Sequence, residues 1–377
     1  MKDEHLLYCI WLSEIKGVGP VFSRRLLNYF NAPEIIFNLP EEELKKVNGI
    51  GTQFAKTIYN SKNLTVSKRI LQDCIEKNIK ITIYDDDKFP EILNRYEDSP
   101  TLLYYKGEIF KDLKGVGIVG ARRCTEYGKS IAVEASSFLA TNGIPVISGM
   151  AKGIDSYAHT ACLKSEGYTA AVLASGADIC YPKEHIELMK KIIKSGVVIS
   201  EYPPGTPAKQ VHFPKRNKLI SVLSEKLLVA EAGEKSGSLI TASYAKEKKK
   251  PIFAPPNNIF IKEFIGTNKL ISEGASIYLN PEQLLIHSID LRKHSTTLEE
   301  KSQNNVHNEL EEKILKLIEN NNLTIDEIIE LLKADKKEII NTMLNLELDD
   351  SLQIVGGGRY EIVSDAARSL HNGTKYQ

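Results

Sequence analysis

Residues 200–254 read SEYPPGTPAKQVHFPKRNKLISVLSEKLLVAEAGEKSGSLITASYAKEKKKPIFA. The stretch begins where an apolar strand, Val197–Ser200, ends, and it turns at Pro203-Pro204-Gly205. It then sets Lys209, Lys215 and Arg216 around one aromatic residue, Phe213, with Asn217 next in line. A second apolar run, residues 227–230, leads into a polar loop, and Ser236-Gly237-Ser238 opens a helical pattern over residues 239–248. A strand end facing a glycine-relieved helix start is an anion site, because the first helical N–H groups lack internal partners. Cations and a stackable ring beside it suit a polyanion with exposed bases, which is single-stranded nucleic acid. The alternative is that Phe213 belongs to the core and the lysines are merely solvated.

Outward from this stretch the same alternation repeats. Apolar runs at 116–119, 145–148, 169–174, 251–254 and 276–279 are separated by helical patterns such as 130–141, 157–165 and 184–194. Near-continuous apolar strands alternating with helices predict a parallel sheet covered on both faces, a doubly wound, Rossmann-like α/β domain. Ligands of such a domain sit beyond the carboxyl ends of the strands. Two further runs, 81–84 and 101–105, read as strands around a turn-rich segment.

The strand ends carry the candidate chemistry. Gly115-Val116-Gly117-Ile118-Val119-Gly120 matches G-x-G-x-x-G, but the strand lies inside the motif instead of before it, and no acidic residue follows for a ribose. A nicotinamide cofactor is therefore not expected. Arg122 and Arg123 follow Gly120, and arginine's planar fork suits phosphate oxygens. Gly149, Lys152 and Gly153 after the next strand combine a point charge with backbone that can approach closely. Lys183 is placed at the same edge. Asp155 and His159, four apart, read as a helix cap and an internal hydrogen bond in preference to an acid–base pair.

Residues 1–65 are read as helical. Two loops, Lys16-Gly17-Val18-Gly19-Pro20 and Val47-Asn48-Gly49-Ile50-Gly51, resemble the helix-hairpin-helix element of SAM-like domains, whose amides meet backbone phosphate. Residues 66–288 form the α/β core and 289–308 a polar linker. Residues 309–366 predict three helices and a hairpin of winged-helix type, and 367–377 a tail. From His307 onward 8 Lys+Arg face 14 Asp+Glu, leaving 41 against 35 in the remainder of a chain whose net charge is +0. The acidic end is thus expected to bind a partner or regulate, not to read DNA. Five scattered cysteines without a CxxC predict reduced thiols and no metal site, and no apolar run is long enough for a membrane span.

In this order, VGARRCTEYG (119–128), SGMAKGIDSYAH (148–159), GADICYPKEH (176–185), SEYPPGTP (200–207), HFPKRNKLIS (212–221), VAEAGEKSGSLITA (229–242) and GTNKLISEGA (266–275) resemble the DprA family, also called Smf. The sequence departs from the family at Pro256-Asn257, where a proline-glycine is usual, and over residues 261–265, which lack the usual small polar residues. The resemblance implies a cytoplasmic protein of natural transformation, without catalytic residues or cofactor. Such proteins bind and protect incoming single-stranded DNA, displace single-strand binding protein, load RecA and act as homodimers. Carried over, the single-strand site uses Arg122, Lys152, Lys183 and Lys209 for phosphate, with Phe213 and Arg216 beside them and Gly120, Gly149 and Gly237 allowing close backbone approach. The reading of the residues themselves adds Arg123, Gly153, Lys215, Asn217, Ser236 and Ser238. A second resemblance, to cytokinin-activating phosphoribohydrolases, would make Glu201 or Glu231 the acid–base group, although their P-G-G-x-G-T signature is missing.

Overall fold

The computed structural model describes residues 2–285, 304–319, 321–332, 334–348, 352–355 and 359–362. It divides into two compact units, Met1–Lys293 and His294–Gln377.

The first unit opens with helices α1 (Lys2–Glu14), α2 (Pro20–Phe30), α3 (Pro33–Asn38), α4 (Glu41–Leu44), α5 (Thr52–Asn60) and α6 (Thr65–Glu76). Strand β1 (Lys80–Ile83), the short α7 (Glu91–Asn94) and β2 (Leu102–Gly107) come next. The repeating part is β3 (Gly115–Gly120), α8 (Glu126–Thr141), β4 (Val146–Ser148), α9 (Ile154–Lys164), β5 (Thr169–Leu173), α10 (Ile186–Ser195) and β6 (Val197–Ser200). It continues through α11 (His212–Leu223), β7 (Ser224–Glu231), α12 (Ser238–Glu247), β8 (Ile252–Ala254), α13 (Ile265–Ser272) and β9 (Ser276–Ile277).

Among the described residues these strands make one nine-stranded sheet in the order β1-β2-β6-β5-β4-β3-β7-β8-β9. From β6 to β9 all neighbours are parallel. At the other edge β2 runs antiparallel to β6 and β1 antiparallel to β2. The chain winds outward from β3 to β6, then crosses back through α11 to place β7 on the other side of β3. That reversal is the topological switch point, where open α/β sheets bind ligands.

Both faces of the sheet are covered, which explains the unbroken apolar runs. Leu227 and Val229 of β7 pack with Leu219, Ile220 and Leu223 of α11 and Ala242 of α12. Leu228 and Ala230, pointing the other way, join Ile131 and Ala135 of α8 and Ile154 and Ala158 of α9. Apolar side chains alternate across a continuous run because each strand residue faces one layer or the other.

The helical front end belongs to the same unit. Arg24 is buried and fastens it to the sheet part: Nε donates to the Ser99 carbonyl at 2.9 Å, Nη1 to Asn94 Oδ1 at 3.0 Å, and Nη2 to the Leu93 and Pro100 carbonyls at 3.0 and 2.9 Å. The two glycine loops face one another: Phe22 and Phe54, which follow them, meet with ring centres 4.7 Å apart and planes tilted by 39°. Gly17 and Gly49 hold left-handed φ of 85° and 86°, which glycine adopts without strain.

The second unit contains α14 (Asn304–Glu319), α15 (Ile325–Leu332) and α16 (Lys336–Leu348), with strands β10 (Leu323–Thr324), β11 (Leu352–Val355) and β12 (Arg359–Ile362). The strands pair antiparallel in the order β10-β12-β11, so a short strand before α15 joins the expected hairpin. Thr324 caps α15 in a reciprocal box: its N–H donates to Glu327 Oε2 at 2.8 Å and its hydroxyl accepts from Glu327 N–H at 3.4 Å. The linker expectation needs correcting at its end, because residues 304–308 already belong to α14. Residues 289–303, Gly356–Gly358 of the hairpin turn and the 367–377 tail lie outside the described residues.

Candidate functional site

At the switch point lies a cleft of about 520 Å³ lined by the end of β3 (Gly120, Ala121, Arg122), one face of α11 and the loop Gly233–Ser238 that starts α12. Helix α11 is the element that sequence reasoning missed. Pro214 sits in its first turn, where the lost N–H would have had no helical acceptor. Helical spacing then puts Phe213, Arg216, Asn217 and Ile220 on one stripe facing the cleft.

Phe213 is half-buried and carries two guanidinium groups, Arg122 at 5.4 Å and Arg216 at 5.5 Å from its ring centre. Tyr181 meets its edge at 5.8 Å. The ring and the two arginines separate the main cleft from a side pocket of about 70 Å³ that also takes in Lys152, Tyr181 and Pro182.

The two arginines differ. Arg122 is exposed and has no carboxylate partner among the described residues. Arg216 is buried; Nη1 donates to the Gly149 and Val172 carbonyls, the second at 3.3 Å, and Nε donates to Asn217 Oδ1 at 2.9 Å. Burial pulls its pKa down, the Asp155 carboxylate opposes this and Arg122 adds to it. Asn217 relays the brace, its Nδ2 donating to the Gly237 carbonyl at 3.2 Å. Arg216 and Asn217 therefore build the wall of the cleft, and Arg122 is the free charge above it.

The glycines divide in the same way. A Cβ on Gly120 would meet Ile154 Cγ1 at 2.6 Å, and one on Gly149 would run into the Arg216 guanidinium. The Cβ side of each is filled by the protein's own packing, while the Gly120 backbone lines the cleft and that of Gly149 the side pocket. Gly153, at φ +75°, lies against the Ala121 and Arg122 backbone. At Gly237 a Cβ would meet nothing within 4 Å, so this helix start is open to the cleft. Ser236 and Ser238 flank it with hydroxyls 2.8 Å apart.

Of the remaining expected residues, Arg123, Lys183 and Lys209 are exposed at the carboxyl edge with no carboxylate partner among the described residues. Lys152 is exposed and ion-paired with Glu184. Lys215 is separated from the others, contrary to its expected place beside Phe213. It lies on the far side of α11, in a cavity with Glu201, Lys218 and Pro20. Residues that the sequence reading left out also line the cleft: Lys235 and Ile240 in the main part, Tyr181 in the side pocket. Tyr181 and Lys235 stood within the motifs quoted; their direction depended on the loops.

Apart from Glu234, which is exposed and lines the cleft, the acidic groups considered as candidates are held away from it or tied down. Glu201 shares the cavity of Lys215, and burial pushes its pKa up to about 7 against the opposing pull of Lys215 and Lys218. Glu231 Oε2 accepts from the Thr125 N–H at 2.9 Å and hydroxyl at 2.6 Å, and Thr125 caps α8. Asp155 Oδ2 accepts from the Gly149 and Ala151 N–H groups at 3.1 and 3.3 Å, and burial raises its pKa. His159 Nδ1 lies 2.7 Å from the Thr169 hydroxyl, which itself donates to the Val146 carbonyl. The imidazole is thus a buried donor at Nδ1, and burial lowers its pKa to about 3.

A profile of the family described as DNA recombination-mediator protein A matches residues 80–288. The chain belongs to this family, DprA or Smf. It is 36% identical to Protein Smf of Synechocystis over 76% of its own length and 73% of the relative's. It is 39% identical to the DNA processing protein DprA of Streptococcus pneumoniae over 53% of this chain and 71% of that one. The X-ray structure of the pneumococcal protein matches with a TM-score of 0.64 and 31% identity, over 73% of this chain and 95% of that chain. No helix among the described residues is long and apolar enough to cross a membrane.

Proposed function

We propose that this protein binds single-stranded DNA in the switch-point cleft and acts as a recombination mediator in natural transformation. It protects incoming DNA in the cytoplasm and loads RecA onto it as single-strand binding protein is displaced, working as a homodimer. The observation that carries the reading is Arg122: an exposed guanidinium without a carboxylate partner among the described residues, stacked on a half-buried phenylalanine at an open helix start. Phosphate takes the cation and the amides, and a base takes the ring; both contacts are indifferent to sequence. Family membership and the names of the relatives, DNA processing proteins, support DNA as the polymer. The winged-helix-like second unit, with its acidic balance, is assigned to a partner or to regulation.

The phosphoribohydrolase reading has less support. Glu201 opens into a different cavity, and Glu231 is buried as the acceptor for the Thr125 cap. Neither carboxylate faces Arg122 across the cleft.

The test is the ATPase of RecA on DNA already coated with single-strand binding protein. The protein is expected to shorten the lag, and Arg122→Ala to abolish the effect. No effect of the wild type, or release of adenine from AMP, would overturn the reading.

A further inference from the structure

The loop between β8 and α13 departs from the rest of the surface. It reads Pro256-Asn257-Asn258-Ile259-Phe260-Ile261, and Ile259 and Phe260 are 71% and 85% exposed. Two adjacent large apolar side chains in water are unfavourable, and such patches mark interaction sites.

The tip is not loose. Asn257 N–H donates to Asn268 Oδ1 at 3.2 Å, and Asn268 Nδ2 donates back to the Asn257 carbonyl at 3.0 Å. Asn258 Oδ1 accepts from Phe260 N–H at 2.9 Å, holding the turn. Behind it Phe264 is buried and packs against Tyr127 at 5.5 Å, while the Tyr127 hydroxyl donates to the Pro256 carbonyl at 3.3 Å. The loop thus has an anchored base and a presented apolar tip.

Its position links it to the cleft. It leaves the carboxyl end of β8, which neighbours β7 and, beyond it, β3. Gly266 N–H donates to the Ala232 carbonyl at 2.8 Å, and a Cβ on Gly233 would lie 3.3 Å from the Lys262 carbonyl. Gly233 itself lines the cleft. Exposed Arg123, Lys235 and Lys262 lie on these adjoining loops with no carboxylate partner among the described residues, beside exposed Glu234 and Glu263.

We infer that Ile259 and Phe260 form a second platform, on which bases of a single strand leaving the cleft stack while Arg123, Lys235 and Lys262 follow its phosphates. An exposed ring on a held loop, flanked by unpaired cations and continuous with the cleft, matches what an unstacked polynucleotide needs. The inference rests on the proposed single-strand reading and extends its footprint from β3 and β7 to β8.

The experiment is fluorescence anisotropy with labelled oligothymidylates of increasing length, on the full chain and on Phe260→Ala and Ile259→Ser. Both side chains are exposed, so the variants keep the fold. Wild type is expected to gain affinity as the strand grows beyond the cleft. Phe260→Ala should lose about tenfold on long strands and nothing on the shortest that bind. Abasic sites in the flanking part of the long strand should erase the difference. A variant equal to wild type at every length, or weakened equally at every length, overturns the platform. So does unchanged long-strand affinity with an altered sedimentation coefficient, which would assign the tip to protein contact. Failure of wild type to bind any single strand would instead remove the cleft reading itself.

Discussion

Two regions of the first unit carry the same sequence signal, glycines beside cations at helix starts, and the structure treats them differently. Arg122 and Lys235 line the switch-point cleft, and Arg123, Lys183 and Lys209 lie on loops that contribute to its walls or to the side pocket; all five are exposed without carboxylate partners among the described residues. In the helical front end the cations are mostly engaged. Arg25 pairs with Glu97 at 2.6 Å, Lys45 with Glu42 at 2.7 Å and Lys46 with Glu43 at 2.7 Å, while Lys62 donates to the Leu39 carbonyl. Arg24 is consumed by four contacts to the sheet part. At the cleft two guanidinium groups sit on one half-buried ring, Phe213, and Arg122 has no carboxylate partner among the described residues. In the front end the guanidinium over Phe22 belongs to Arg25, which Glu97 holds, and Lys16 and Lys56 stay exposed without carboxylate partners among the described residues. A motif identifies backbone able to meet phosphate; the partners of the neighbouring charges decide whether it is available.

The largest expected effect lies at Phe213 and Arg122. Replacing both with alanine is expected to weaken single-strand binding by about a hundredfold, the sum of one stacked base and one phosphate contact. Arg122→Gln alone should also flatten the salt dependence, lowering the slope by about 0.7 for the phosphate lost. Equilibrium titrations at several salt concentrations check both. Next in size is Arg24→Leu, which leaves buried carbonyls without donors. A loss of about 2–4 kcal/mol in denaturant unfolding is expected, with the affinity of the remaining folded protein unchanged. A weaker folded protein of normal stability would mean that the front end binds DNA.

His159 sharpens the account of the acidic and basic groups. Its pKa is depressed by burial to about 3, from an ordinary value of 6.5. The neutral ring therefore contributes stability that is complete above about pH 6.5 and is lost as pH falls toward the folded-state value. His159→Gln should remove this share of the acid loss, at most about 3 kcal/mol between pH 6.5 and about 4. Thermal unfolding across that range checks it. If acid loss is unchanged in the variant, the carboxylates alone cause it.

The smallest effects concern charge balance. Glu184→Gln frees Lys152 and should raise affinity about twofold at low salt, vanishing at high salt. Lys16→Ala with Lys56→Ala in the glycine hairpins should change affinity by less than about twofold. A tenfold loss there would erase the contrast between the regions.

The sheet was legible because both layers bury it, so each strand appears as an unbroken apolar run such as residues 227–230. Strand direction at the far edge was not: nothing in residues 81–84 or 101–105 marks β1 and β2 as antiparallel to their neighbours. The site was legible as residue types at strand ends, but not as roles. Helix α11 hides behind Pro214, and without it Lys215 and Arg216 look equivalent. A single step along the helix turns them to different faces, Arg216 into the wall of the cleft and Lys215 toward Glu201. Gly120 and Gly149 show the same limit, since nothing in the sequence says that their Cβ sides are filled by Ile154 and the Arg216 guanidinium.

Single-strand recognition is read out by the anisotropy of a labelled single-stranded oligonucleotide against its duplex, titrated at low and at moderate salt. The expected result is tight binding that strongly prefers the single strand, weakens steeply with salt and is lost in the Arg122 and Phe213 double variant. Equal affinity for duplex, or single-strand binding untouched by that double variant, would contradict it.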